Sequence, residues 1–351
     1  MKKYSRTLSS LRHLCSLDLP GEMLVPQFLN ALGEIVPTEV STLVWHGPDL
    51  TPVRMFSEQP ESRLGMQAFL QFLDEHRRVG FDWFALTAAA INDRDDPRVK
   101  RIFGFVENEV RAPLHLPHEF TSHFTAIDSG YFSINLWRGG RPYSAAERAF
   151  AGGVIGYLQY ALNRPADLRP LPFADDDRLG VMLLDACGRI AQVNEQALAL
   201  AAMAANAPAR TGFGCPQAMA AICRQLALDL RAMNRGAPAA PPQRAIINAW
   251  GRITMRATWL QPPNGNGDGT IAILFSRQVP RRLKLWQSIH GLRLSPRQQE
   301  VALLSAEGHT QQDIARRLNI GLATTIDHIR ALYDRLDIPV DREALRQRLL
   351  G

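Results

Sequence analysis

Helix-start signals at residues 295, 310 and 341 constrain the last 71 residues of this chain more tightly than any feature elsewhere in it. Ser295-Pro296 opens a helix with Ser as N-cap, Pro at the first helical position and Gln298 at the third. Apolar Val301 and Leu304 line one face until Gly308 ends it. Thr310 caps a second helix over 311–318, with Asp313 at its third position. After Asn319-Ile320-Gly321 a third helix runs from Leu322 to Leu336, and Asp341 caps a fourth to about Leu350. Four short helices so close together predict a compact all-α bundle. The second and third have the lengths and the short turn of a helix-turn-helix.

On a wheel of 100° per residue, Thr325, Ile329, Leu332 and Leu336 form the buried stripe of the third helix. Ala323, Asp327, Arg330, Ala331 and Asp334 fall on the far side with Thr324 beside them, and Ile326 and His328 lie on the flanks. Small and polar groups on an exposed face can enter a major groove. Periodicity alone also fits an ordinary amphipathic helix with a solvated face.

The phrase Leu294-Ser-Pro-Arg-Gln-Gln-Glu300-Val, with Gly308, Ile314-Ala315, Leu318, Ile320, Thr324, His328 and Leu336, resembles the LuxR/GerE-type DNA-binding domain. That family reads roughly LTPRExEV, a glycine, EIA, TVKxH and KL. The resemblance implies a dimer-capable helix-turn-helix with Leu322–Leu336 in the major groove. By position, Ile326, Asp327 and Arg330 match base contacts, and His328 matches the histidine of TVKxH. Thr310, Gln311, Gln312 and Thr324 match backbone contacts near helix N-termini, where amides favour phosphate. Three residues depart from the pattern. Ile326 stands for the lysine of TVK, so a charged contact is lost and a thymine methyl becomes the available partner. Asp327 puts a carboxylate on the groove-facing side, to accept from cytosine N4 or repel phosphate. Gln298 replaces a common glutamate. Arg330 is left as the residue for bidentate guanine readout.

Charge and lysine usage narrow what can stand before this block. The chain of 351 residues has a net charge of +6, of which the segment 281–351 carries +4, 166–280 carries +3 and 1–165 carries −1. Its lysines are Lys2, Lys3, Lys100 and Lys284 alone. None follows glycine, so a Walker A phosphate loop is excluded. The acidic run Asp175-Asp176-Asp177 precedes its strand and no lysine follows for about a hundred residues, which excludes a phospho-receiver. A protein kinase fails for want of a strand lysine. Cys15, Cys187, Cys215 and Cys223 have no CxxC spacing and read as buried or incidental thiols of a reducing compartment. With no apolar leader after Met1-Lys2-Lys3 and no apolar run near 18 residues, a cytoplasmic protein without membrane contact is expected.

Residues 1–165 predict a helix over Leu24–Val36, strands over Val40–Trp45 and Tyr131–Trp137, and a helix from the Ser144/Glu147 capping box to about Leu162. The strand, short turn and long helix at the end resemble GAF-type domains. After the proline-rich joint Pro165–Pro172, strands over Leu179–Asp185 and Arg189–Val193 feed a helix from Asn194. A loose segment over Gly236–Pro242 precedes a late hairpin, Arg252–Leu260 with Thr270–Phe275, that turns through Asn264–Gly269. Gly180–Ile190 and this order of elements resemble PAS domains. An ordinary apolar pocket, or none, is the default for both. A flavin-adduct cysteine phrase is absent, and the second block has no histidine for haem.

His115, His118 and His123 lie within nine residues. The spacing from His118 to His123 is i, i+5 rather than the i, i+4 of HExxH, and Pro113 and Pro117 argue against a helix, so the reading is a loop with surface histidines. The expected architecture is therefore multidomain. Two α+β sensor-like domains, GAF-like over 1–165 and PAS-like over 166–280, precede a four-helix LuxR-type domain over 281–351. The expected function is non-enzymatic transcriptional regulation without a cofactor. The expected partners are double-stranded DNA, a second copy of the chain on DNA, RNA polymerase, and a small-molecule ligand in the N-terminal domains. An acyl-homoserine-lactone receptor is a narrower version, to which Phe81-Asp82-Trp83 bears a faint likeness. Two other classes stay open. One is a metal- or cofactor-binding sensor or enzyme on 1–165, supported by the three histidines. The other is an interaction module that has lost DNA, to which Ile326 and Asp327 give weight.

Overall fold

The computed structural model describes residues 5–46, 52–57, 115–125, 131–164, 170–185, 187–205, 217–260, 270–292 and 294–350. Strands β1 (Val40–His46), β2 (Pro52–Ser57), β3 (His118–Thr125) and β4 (Tyr131–Arg138) form an antiparallel sheet in the order β2-β1-β4-β3. Helices α2 (Val25–Ile35) and α3 (Ala145–Leu162) pack on one face, and α1 (Ser5–Ser16) lies against both. Apolar and polar residues alternate along β3 and β4, so Phe120, Phe124, Phe132, Ile134 and Leu136 enter the core from one face.

The Ser144 capping box starts α3 as expected. Ser144 Oγ accepts from the Glu147 amide at 3.2 Å and Glu147 Oε2 accepts from the Ser144 amide at 2.8 Å. The same carboxylate receives Arg138 at 3.0 Å and Arg141 at 2.8 Å. These bonds, the one from Arg138 foremost, hold Glu147 well below the usual carboxylate range.

The expected loop through His118 and His123 is corrected. Residues 118–125 pair along β4, with His123 opposite Ser133. Pro117, which argued against a helix, stands just before the strand, where no ladder amide is needed.

In the second region β5 (Phe173–Leu184), β6 (Ile190–Val193), β7 (Gln243–Asn248), β8 (Gly251–Leu260) and β9 (Thr270–Pro280) form an antiparallel sheet in the order β6-β5-β9-β8-β7. Helices α4 (Glu195–Ala204) and α5 (Gln217–Asn234) pack against it. Asn194 Oδ1 accepts from the amides of Ala197 and Val181, at 2.9 and 3.0 Å, capping α4 and fixing it to β5 together. Sequence reading gives no strand at 243–248. β7 is an edge strand, mostly exposed, and the apolar alternation that announces strands is correspondingly faint there.

Five helices, not four, lie among the described residues of 281–351: α6 (Arg281–Gly291), α7 (Pro296–Ala306), α8 (Gln311–Leu318), α9 (Leu322–Leu336) and α10 (Arg342–Leu350). The uncounted α6 runs straight on from β9, with Pro280 in the N-cap position and no side-chain cap, so no start signal precedes it.

Among the described residues two apolar clusters form the core. One is continuous from α1 and the first sheet through α6 to α10, and joins Leu11, Phe28, Ile134, Trp286, Val301 and Leu332. The other fills the second region around Leu200, Cys223, Met255 and Phe275. Cys15 and Cys223 are buried and Cys187 is exposed. Burial pushes the Cys15 thiol up to about 12. Among the described residues no helix is long and apolar enough to cross a membrane. Phe81-Asp82-Trp83, Cys215 and the turn Asn264–Gly269 lie outside the described residues.

Candidate nucleic-acid interface

Each start signal of the C-terminal block is realised as a hydrogen-bonded cap. At α7, Ser295 Oγ accepts from the Gln298 amide at 3.3 Å and Gln298 Oε1 accepts from the Ser295 amide at 2.9 Å. Its C-terminus closes at Gly308, whose φ is +93°. There α10 supplies cations to the helix's open carbonyls, as Arg346 donates to Ala306 and Arg342 to Gly308, each at 3.2 Å. At α8, Thr310 Oγ1 accepts from the Asp313 amide at 3.1 Å and donates to Asp313 Oδ2 at 2.6 Å. These bonds, led by the Thr310 hydroxyl, hold Asp313 below its ordinary range. Asn319 then turns the chain in the left-handed region, at φ 51°, and the Ile320 amide reaches back to Ala315 at 3.0 Å. Asn tolerates this conformation better than most residues.

The α9 faces match the wheel. Thr325, Ile329, Leu332 and Leu336 are buried, and Tyr333 joins them. Ala323, Thr324, Asp327, Arg330, Ala331 and Asp334 are exposed, while Ile326 and His328 are half-buried. Arg330 has no ion-pair partner among the described residues, although Asp327 and Asp334 flank it by about one turn on either side. Gly321 gives α9 no side-chain cap, so the first amides of the helix remain open. Those amides lie at the positive end of the helix dipole, beside the exposed Thr324. At α8 the arrangement differs, because the Thr310 hydroxyl is committed to Asp313 and Arg316 pairs with the same carboxylate. Gln311 and Gln312 are exposed at that terminus. The eight expected contact residues thus fall on α9 and the start of α8, the two helices joined by the Asn319 turn.

The histidine cluster does not converge. His118 and His123 are five apart on one strand and project from opposite faces, and His115 precedes the strand in a left-handed turn. No group of three or more metal-ligating side chains occurs among the described residues.

Sequence reading missed a polar row on the face of the first sheet away from the α2–α3 core. Ser57, Thr42, Asn135 and Thr121 are register partners across all four strands. Asn135 Nδ2 donates to Thr42 Oγ1 at 3.0 Å, and Thr121 Oγ1 donates to Asn135 Oδ1 at 3.1 Å. His46 Nε2 is 2.9 Å from Ser133 Oγ. On the same face the indole N–H of buried Trp137 has no acceptor among the described residues. The signal was available in β4, where Ser133 and Asn135 alternate with Phe132, Ile134 and Leu136. This sheet face carries donors and acceptors.

Residues 292–347 match the family described as bacterial regulatory proteins, luxR family. A search of curated proteins gives no match. Among solved structures, the phage VqmA–DPO complex aligns at 18% identity and a TM-score of 0.21, over 50% of this chain and 81% of that one. A Vibrio cholerae VqmA–ligand–DNA complex aligns at 18% identity and a TM-score of 0.22, over 50% and 83%. The V. cholerae VqmA dimer without target DNA aligns at 19% and 0.19, over 50% and 82%. TM-scores this low carry no statement about the shape of this chain.

Proposed function

With residues 292–347 a luxR-family domain, we propose that the protein is a bacterial DNA-binding transcriptional regulator that acts as a homodimer on DNA. Helix α9 enters the major groove. The observation that carries this reading is the exposed face of α9, where Arg330 stands without an ion-pair partner among the described residues and the open N-terminal amides lie beside Thr324. Arg330 reads guanine, Ile326 touches a thymine methyl, and Asp327 accepts from cytosine. Gln311, Gln312 and Thr324 hold phosphates.

The regions 1–165 and 166–280 act as GAF-like and PAS-like sensors ahead of a DNA-binding region over 281–351. What supports the first is the polar row on its sheet, with the unsatisfied Trp137 N–H as a donor for a small polar ligand. What supports the second is its order of two strands, two helices and three strands in one sheet. No catalytic role is assigned to either.

Selection of DNA from a random library with the full-length protein tests the reading. Enrichment of an inverted repeat is expected, with affinity that falls by several counterions' worth on a log–log salt plot. No enrichment, or binding without salt dependence, would overturn it in favour of a protein-interaction module.

A further inference from the structure

A cleft of about 390 Å³ opens between the first region and the helix-turn-helix. Asp18, Arg281 and Arg282 of α6, Glu307, His309 and Arg317 are among its lining residues. Its acids are already engaged. Glu307 takes Arg282 at 2.6 Å, with His309 at 3.7 Å, and Asp18 takes Arg164 at 3.3 Å. A further lining arginine, Arg346, is spent on the Ala306 carbonyl. Arg281 and Arg317 form no ion pair among the described residues, although Arg317 stands close enough to Glu307 to favour its charged form. Two guanidinium groups without an ion pair among the described residues therefore line one concave site from two different helices. The volume lies in the range of small-ligand sites.

We propose that this cleft binds a small multivalent anion, a phosphorylated or polycarboxylate metabolite. Arg281 of α6 and Arg317 of α8 grip it, so that it ties α6 to the helix-turn-helix. Guanidinium forks match phosphate and carboxylate oxygens in a bidentate manner and stay charged at every physiological pH. Four arginines outnumber the two acids of the lining, so the cleft carries an excess of positive charge that an anion offsets. The site makes no use of the exposed face of α9, so it stands or falls apart from DNA recognition.

Calorimetric titration of the full-length, DNA-free protein with pyrophosphate and separately with citrate, at matched ionic strength, tests the proposal. Saturable binding of at least one probe is expected, and the stronger of the two identifies the anion as phosphate or carboxylate. The double variant Arg281→Ala/Arg317→Ala should bind at least tenfold more weakly. Arg348→Ala, an exposed arginine outside the cleft, should bind as the parent does. If the double alanine variant fails to fold, Arg281→Lys/Arg317→Lys replaces it, with weaker binding again expected because the fork is lost. No saturable binding of either probe, or equal binding by parent and cleft variant, would overturn the site.

Discussion

At the residue scale, Arg330 is the side chain on which sequence-specific recognition rests. Arg330→Ala should weaken binding to the selected site by about 1–3 kcal/mol and relax preference at one base position. Anisotropy titrations against the selected and scrambled duplexes measure both effects. Glu147 governs stability instead. Arg138, 5% exposed, donates to both of its oxygens, so Glu147→Gln leaves a buried cation undercompensated. A loss of about 3 kcal/mol at pH 7 is expected in urea unfolding. The sign of its pH dependence follows from the depressed carboxyl. The stabilisation is complete above the ordinary carboxylate range, near pH ~4.3, and is lost as pH falls through the folded-state value. Parent and variant should therefore converge as unfolding is repeated at steadily lower pH.

At the element scale, caps and close approaches decide where helices begin and how they lie. The turn between α8 and α9 needs one residue in the left-handed region, and Asn319 supplies it. Asn319→Gly should be nearly neutral, whereas Asn319→Val should cost about 1–2 kcal/mol through clash of the branched Cβ. Thermal unfolding and DNA affinity together separate a loosened turn from a lost contact. Gly180 on β5 lets α4 approach so closely that an added Cβ would stand 2.5 Å from the Ala197 Cα. Gly180→Val should destabilise the second region by about 1–3 kcal/mol or more, measurable by chemical denaturation. The capped helices were legible in advance because a cap is written in three adjacent residues. Helix α6 was not, because Pro280 only ends a strand and no polar side chain marks the new start. Strand β3 was hidden for another reason, since His118-Glu119 and Thr121-Ser122-His123 read as a polar loop until β4 supplies the partner.

At the scale of the whole molecule, the two ends of the chain share one core and the middle has its own. Helix α1 touches α6 and α7, and Ser10 Oγ lies 2.8 Å from His290 Nδ1. Partial burial foremost, with Arg282 and His290 nearby, lowers the half-buried His13 to about 4. It remains neutral at physiological pH, as an imidazole under desolvation between cationic groups must. A destabilising change in the shared core should be felt at both ends. Phe28→Ala, expected to cost about 3–5 kcal/mol, should reduce hydrogen-exchange protection in α7 and α9 while β8 and β9 keep theirs. Equal loss in all four would mean a single cooperative unit.

The sequence by itself determined the last four helices, the N-caps of three of them, the buried and exposed faces of α9 and the family of residues 292–347, because each depends on contacts within a few positions along the chain. Only the tertiary structure decided that α1 and α6 to α10 share a core. It alone aligned Ser57, Thr42, Asn135 and Thr121 across four strands, and brought Arg281 and Arg317 to one cleft. Those arrangements join residues tens to hundreds of positions apart, where strand register and helix packing carry the information and local pattern carries none.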